Sequence, residues 1–311
     1  MIRQNGARKV PKVSVCVITY NQGKYIRECL QSIVDQQTDF DFDVIVGDDM
    51  STDETPEILK EFADRYPTQI TLILNKKKIG GTANYVTTHQ RATGEYVGHL
   101  DGDDVAYPGK LQRQAHLLDS RKDLALVWHS MKIFSDDGLQ VSQTHLHLGD
   151  VVDTHNILLR DILLFGSLGA ASSVMYRRSF ANYLSEIHSD TLDFYFAARI
   201  LEHGTGARID EILGGYRSNL VAVTLSKRKS PYFRASPMRE LYASHLYALY
   251  ERNQQFKAEI FLNSVFNLCV EIRFLRPTLL AFLKIATRTF SVVTTRDIPR
   301  YFSKAFRLRA K

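Results

Sequence analysis

Asp101-Gly102-Asp103-Asp104 puts three carboxylates at the end of a short apolar run, Glu95-Tyr96-Val97-Gly98-His99-Leu100. Carboxylates are rarely buried without partners, and like charges this close repel. Such a cluster calls for a compensating cation, and a divalent metal is the simplest one. Mg²⁺ and Mn²⁺ prefer oxygen ligands and bind through one or two carboxylates plus substrate phosphates. Side chains two apart in an extended strand share a face, so Asp101 and Asp103 can address one ion or one metal-bound nucleotide. Gly102 between them lets the backbone turn or approach a ligand closely. An isolated Asp-x-Asp is most often a solvated acidic turn, so the surrounding sequence decides the reading.

The elements that must hold these residues alternate. Val13 to Tyr20, Asp43 to Gly47, Ile70 to Leu74 and Glu95 to Asp101 read as buried strands. Between them, Lys24 to Gln36 places Ile26, Leu30, Ile33 and Val34 on one helical face, Ser51-Thr52-Asp53-Glu54 with Pro56 opens a second helix, and Ala83 to Arg91 forms a third. Continuous apolar strands alternating with helices predict an α/β domain with a Rossmann-like, mostly parallel sheet covered on both faces. Ligands of such sheets bind outside the carboxyl ends of the strands. Polar residues collect there: Thr19-Tyr20-Asn21, Asp48-Asp49, Asn75 and the acidic cluster.

Beyond Pro108 the pattern predicts a helix over 110–120, a strand over 124–134 with Trp128 as core filling, a hairpin-type turn at 136–138 and a helix over 154–164. A small-residue strand over 171–176, a helix over 190–203 and a last strand over 208–216 follow. From Pro231 the pattern is helical, over 238–251, 255–273, 278–290 and 297–307. The expected division is a first domain over 1–225 and a basic helical extension over 226–311.

Composition bounds the class. The chain has 311 residues, 44% of them hydrophobic and 24% charged, which suits a folded globular protein. The three cysteines are scattered and make neither a metal spacing nor a disulfide framework, as expected in a reducing cytosol. Met1 to Lys12 is polar and basic and does not read as a signal peptide, and no run reaches the roughly 18 apolar residues of a spanning helix. From Arg273 to Lys311 there are ten Lys/Arg and one acid, a net of +9 in a chain of +6, so the first 272 residues carry −3. A basic tail on an acidic body does not suit a nucleic-acid binder, and no nucleic-acid partner is expected. Basic residues interleaved with Leu279, Phe282, Tyr301 and Phe306 suit an anionic membrane surface, which places the chain in the cytoplasm, peripheral to the inner face of the cell membrane.

No Gly-x-Gly-x-x-Gly follows the first strand and no phosphate-binding loop of the Gly-Lys-Ser/Thr type occurs, which argues against dinucleotide redox and P-loop chemistry. His145-Leu146-His147 supplies two ligands and makes no zinc site. What the chain does contain, in order, is Val13-Ser14-Val15 with Thr19-Tyr20-Asn21, then Asp48-Asp49-x-Ser51-x-Asp53, then Asp101-x-Asp103-Asp104. Over about residues 10–220 this resembles a family 2 glycosyltransferase of the GT-A fold.

The resemblance implies roles. Thr19, Tyr20 and Asn21 would border the nucleoside of a nucleotide-sugar donor, Asp49 would accept from the base N–H, and Asp48 would shape the loop. Asp101 would contact ribose or the metal shell, and Asp103 would ligate Mg²⁺ or Mn²⁺ at the diphosphate. Asp193, six residues before Arg199, would be the general base, although Leu192 stands where the family usually has Glu. Arg217, after Tyr216, would face the diphosphate, with Asn219 where a His is usual; a purely structural Arg217 is the alternative. The implied activity is inverting, metal-dependent transfer of a hexosyl group from a nucleotide sugar, of UDP type, to a saccharide or polyprenyl-diphosphate-linked acceptor in surface polysaccharide synthesis. Two other readings are a catalytically inactive nucleotide-binding protein recruited to membranes by its tail, and nucleotidyl transfer, which here lacks a Gly- and Lys-rich triphosphate loop.

Overall fold

The computed structural model describes residues 10–136, 140–143, 152–165, 168–186, 193–218 and 237–264. The first four strands are β1 (Val13–Thr19), β2 (Phe42–Asp48), β3 (Ile70–Leu74) and β4 (Tyr96–Asp101), and all their pairings are parallel. Helices α1 (Gly23–Val34), α2 (Thr55–Arg65) and α3 (Gly81–His89) connect them. The register sets the strand ends flush: Thr19 pairs with Asp48, Asp48 with Leu74, and Ile18 with Asp101. The polar residues read from the sequence therefore share one edge.

The sheet continues through β5 (Val105–Ala106), β6 (Leu124–Phe134), β7 (Gln140–Gln143), β8 (Met175–Arg177) and β9 (Thr205–Arg217), in the order β3-β2-β1-β4-β8-β6-β9-β5 with β7 paired to β6. The parallel character ends at β4. The three-residue β8 is antiparallel to both β4 and β6, and β5 is antiparallel to β9, while β6 and β9 run parallel. A single nine-stranded mixed sheet thus joins a parallel half to a mixed half across β8.

Helices cover both faces. Val13, Val15 and Val17 point to one face, where Leu30, Ile33, Leu59 and Phe62 of α1 and α2 pack with Leu111 and Leu118 of α4 (Lys110–Ser120). Cys16, Val97 and Trp128 point to the other, against α5 (Leu159–Phe165), α6 (Asp193–Leu201) and α7 (Pro237–Arg252). This alternation is the period-2 geometry of a strand buried on both sides. No helix among the described residues is long and apolar enough to cross a membrane.

Two boundaries differ from the sequence pattern for local reasons. The helix expected from Thr154 starts at Leu159, because Ile157 exchanges backbone hydrogen bonds with Gly206 (2.7 and 2.8 Å) and Thr154 accepts from Arg208 N–H. The strand expected over 171–176 opens as a 3-10 turn, Ala171–Ser173, before β8. Side chains of α4 take its carbonyls: Lys110 Nζ donates to Ser172 O (2.5 Å) and Gln114 Nε2 to Ser173 O (2.9 Å). His145 and His147, Asn219, the Asp137-Gly138 turn and the basic tail over 273–311 lie outside the described residues.

Candidate active site

The edge formed by β3, β2, β1 and β4 is laced together by its own loops. Asn21 N–H donates to Ser51 Oγ (2.8 Å) and Thr52 N–H to Asn21 Oδ1 (2.8 Å). Gln22 N–H donates to Thr55 Oγ1 (2.9 Å), and Asp53 accepts from Gly23 N–H (2.9 Å) and Thr55 N–H (3.0 Å). Asp53 thereby holds the first turns of two helices at once. Asn21 and Met50 adopt left-handed backbone, with φ of 51° and 63°. Asn tolerates that region; for Met it is a strained conformation held by its surroundings.

Asp48 and Asp49 are both buried. Asp48 accepts from Ser51 N–H (2.9 Å) and Ser51 Oγ–H (2.5 Å), closing its own loop. The Asp49 carboxylate accepts from two backbone N–H groups, Ile79 (2.7 Å) and Gly80 (3.0 Å), and so fixes the segment leading into α3. The sequence carries no signal for that second contact, since it joins residues thirty apart. Tyr20 is exposed at the same edge, and the Lys78 ammonium sits 3.6 Å from its ring centre.

The acidic cluster lies one strand over. Gly102 is needed for close packing rather than for a turn: a Cβ there would lie 2.5 Å from Gln22 Oε1 and 3.0 Å from both Thr19 Cβ and Ile26 Cδ1. Its N–H donates to Ile18 O (2.9 Å), and Asp101 N–H donates to Ser172 Oγ (3.0 Å). Asp101 is one-third exposed and accepts at Oδ1 from His99 Nε2 (3.1 Å). Burial, and then the charge of Asp101, push the Asp103 carboxyl up to about 6. The same causes, with Asp103 added, push the fully buried Asp104 well above the usual carboxylate range.

Below the cluster sits a buried cation. Lys110 Nζ donates to Ser172 O and to His129 Nε2 (3.0 Å), while His129 Nδ1–H donates to Ser130 O (2.8 Å). Burial brings Lys110 down to about 7 against the opposing pull of Asp104, and holds His129 well below its ordinary value. Lys110 is the cation that faces Asp104 from inside. Asp101 and Asp103 are left to the cleft.

Does this corner fit a divalent ion? Thr19 Oγ1, Gln22 Oε1 and Asp104 Oδ2 are buried oxygens without a hydrogen-bond partner, and Asp103 carries charge that its surroundings disfavour. The donor set is all oxygen, which suits Mg²⁺ or Mn²⁺ and not zinc. No group of three His/Cys/Asp/Glu chelates an ion among the described residues, so the ligand's own phosphates would complete the shell.

Arg217 serves other partners. Its guanidinium pairs with Glu28, donates from Nε to Asp103 O (2.9 Å), lies 3.6 Å from Asp136, and stacks over Tyr25 and Phe134. Its backbone N–H donates to Asp104 Oδ1 (2.8 Å). Arg217 clamps β9 onto the acidic turn. Arg199 is likewise internal: it grips Glu186 through two nitrogens (2.7 and 2.8 Å), pairs with Glu202, and anchors α6. Asp193 is the first residue of that helix, and the next turns of α6 line a cavity of about 190 Å³ through Phe194, Phe196 and Ala197. The cavity reaches Asp101 and His99 on β4 and Trp128 on β6.

The sequence profile described as glycosyl transferase family 2 matches residues 14–181, more than half of the chain. The chain belongs to glycosyl transferase family 2. The matched stretch runs from β1 to the 3-10 segment after β8, so it includes the ends of all four parallel strands β1 to β4. An uncharacterized protein of Mycobacterium bovis is 33% identical over 206 residues, 66% of this chain and 58% of that protein. The chain therefore spans little more than half the length of that relative. Bacillus subtilis EpsE is 35% identical over 132 residues, 42% of this chain and 46% of its own length. Escherichia coli chondroitin synthase is 37% identical over 119 residues, 38% of this chain and 17% of that protein. Among solved structures, S. aureus TarS 1–349 in complex with UDP-GlcNAc superimposes with a TM-score of 0.68 at 21% identity, covering 96% of this chain and 89% of TarS. That likeness establishes the shared GT-A fold.

Proposed function

We propose that this family 2 chain transfers a hexosyl group, with inversion, from a nucleoside diphosphate sugar to a hydroxyl of a saccharide or polyprenyl-diphosphate-linked acceptor. The observation that carries this reading is the flush polar edge. Three of the four parallel strand ends present Thr19, Asp48, Asp49 and Asp101, and the edge terminates in the Asp101 and Asp103 carboxylates beside orphaned oxygens. The nucleoside would lie against Thr19, Tyr20 and Asn21, over the loops that Asp48 and Asp49 hold. The diphosphate would reach Asp101 and Asp103, where a bound Mg²⁺ or Mn²⁺ would offset the charge growing on the leaving group. The bound nucleotide in TarS is UDP-GlcNAc, which makes UDP sugars the first donors to try.

Asp193 would act as the base. It opens α6, whose following residues line the cavity that reaches Asp101, and it would take the acceptor's proton as the hydroxyl attacks the anomeric carbon. Attack by the acceptor opposite the departing diphosphate would be in line, so an α-linked donor would give a β-linked product. The first 225 residues would be the transferase domain, and the basic extension beyond would bring it to an anionic leaflet near lipid-linked acceptor.

The test is thermal shift and donor hydrolysis across a panel of nucleotide sugars, each with and without Mn²⁺ or Mg²⁺, on the wild type and Asp103→Ala. Metal-dependent stabilisation and hydrolysis for one donor class, both lost in the variant, are the expected results. Nucleotide binding without hydrolysis under any condition would replace the enzyme by a nucleotide-binding protein.

A further inference from the structure

A buried line of side chains that no step above uses ends on the Asp101 carboxylate. Tyr176 Oη on β8 lies 2.9 Å from His89 Nδ1 at the end of α3. His89 Nε2 lies 3.1 Å from His99 Nδ1 on β4, and His99 Nε2 lies 3.1 Å from Asp101 Oδ1. Tyr176 has no exposed surface and each histidine only 1%. The rings are locked by stacking: Tyr85 lies 3.8 Å from His89, and the His89 and Tyr176 planes are within 4° of parallel.

The ends of this line fix its direction. An ionised carboxylate only accepts, so His99 donates to it from Nε2, and as a neutral ring it then accepts at Nδ1. His89 must then donate from Nε2 and accept at Nδ1, which leaves the Tyr176 hydroxyl as the terminal donor. A neutral imidazole has one donor and one acceptor, so both rings are fully used. Reversing either ring would set two acceptors, or two donors, face to face among buried side chains. Burial and the neighbouring His99 keep His89 well below its ordinary value, as a neutral ring requires.

We propose that Tyr176, His89 and His99 form a positioning relay that fixes the rotation of the Asp101 carboxylate and reserves its Oδ2 for the metal–diphosphate ligand. The proposal rests on the donor-binding reading given above. Oδ2 takes no hydrogen bond from the described residues, while Oδ1 is held from inside by His99. Partners that orient a metal-ligating side chain are worth about 10–100-fold in metal affinity or activity. The relay also ties the two halves of the sheet to one acidic residue, since Tyr176 sits on the strand that joins them.

The experiment uses the full chain and titrates UDP calorimetrically with and without Mn²⁺. The proteins are the wild type, His99→Leu, His99→Asn and the isosteric Tyr176→Phe. His99→Leu is expected to weaken Mn²⁺-dependent UDP binding about 10–100-fold, and Tyr176→Phe several-fold although it touches neither ligand nor Asp101. His99→Asn, which keeps a donor toward Asp101, should recover part of the loss, and UDP affinity without metal should be unchanged in all three. Nitrogen-15 spectra of the imidazoles should show Nε2–H tautomers at both His89 and His99. Wild-type affinity in both His99→Leu and Tyr176→Phe, an equal loss of metal-free UDP binding, or an Nδ1–H tautomer at His99 would overturn the relay. A wild type that binds no UDP with or without Mn²⁺ would instead overturn the donor-binding reading, and the relay's ligand role with it.

Discussion

Replacing Asp103 by Asn should stabilise the protein while abolishing its cation-dependent function. Burial and the neighbouring Asp101 raise the Asp103 carboxyl from 3.8 to about 6. A tenfold change in proton affinity is worth about 1.4 kcal/mol, so the ionised side chain destabilises the fold by at most ~3 kcal/mol at pH 7. The sign follows from proton linkage. A carboxyl whose folded value is raised binds its proton more tightly folded than unfolded, so stability falls as pH rises from about 4 to about 6. At pH 4 the penalty has shrunk to about 0.5 kcal/mol. Asn keeps the shape without the charge. At pH 7 and without metal, Asp103→Asn should therefore melt roughly 4–6 °C above the wild type, at about 2 °C per kcal/mol. At pH 4 the two should nearly coincide. Adding Mn²⁺ and UDP should raise the wild-type midpoint and leave the variant's unmoved. Calorimetric scans at both pH values read all of this. A variant that melts below wild type at pH 7, or gains as much at pH 4 as at pH 7, would refute the claim that Asp103 holds uncompensated charge for a ligand.

Other substitutions test the remaining parts. Asp193→Asn should lower kcat about 10²–10⁴-fold with donor affinity unchanged, in steady-state kinetics paired with UDP-sugar titration. Asp49→Ala removes the acceptor of the Ile79 and Gly80 N–H groups, each such charge-assisted bond being worth about 1.5–3 kcal/mol; trypsin should then cut faster at the exposed Lys76, Lys77 and Lys78. Gly102→Val drives methyl groups into Thr19 and Ile26, and should lower stability by about 1–3 kcal/mol in urea unfolding while weakening UDP binding. Arg199→Met leaves Glu186 and Glu202 without their shared cation and should destabilise by about 3 kcal/mol, detectable as faster hydrogen exchange in α6.

Much of the architecture was legible because the first half obeys one rule. Apolar runs at Val13, Asp43, Ile70 and Glu95, each ending in polar residues, specify parallel strands with a common carboxyl edge, and the register bears this out. Helix 110–120 and strand 124–134 also fall where periodicity puts them. The second half was harder to read because its elements answer to distant partners. The turn at Ala171–Ser173 exists because Lys110 and Gln114 reach its carbonyls, and β5 has only two residues. Among site residues, types and positions were legible but contacts were not. Asp101 and Asp103 look alike in sequence, yet one is tied to His99 and the other faces Arg217 through its own carbonyl. His89, His99 and Tyr176 carry no motif. They meet only because β8 lies between β4 and β6, and the one available signal was a histidine inside an otherwise apolar strand.

The three-residue β8 has a consequence for how such a chain can diversify. The parallel strands and their loops come before it in sequence, as do β6 and α5, while α6 and β9 come after it. The two halves meet along a border only three residue pairs wide with β4 and two with β6. Recombination after β8 would exchange α6 and β9 together and leave the hydrogen-bonded loops of the parallel strands intact. Descendants of one ancestor could then keep a nucleotide while changing what they deliver its sugar to.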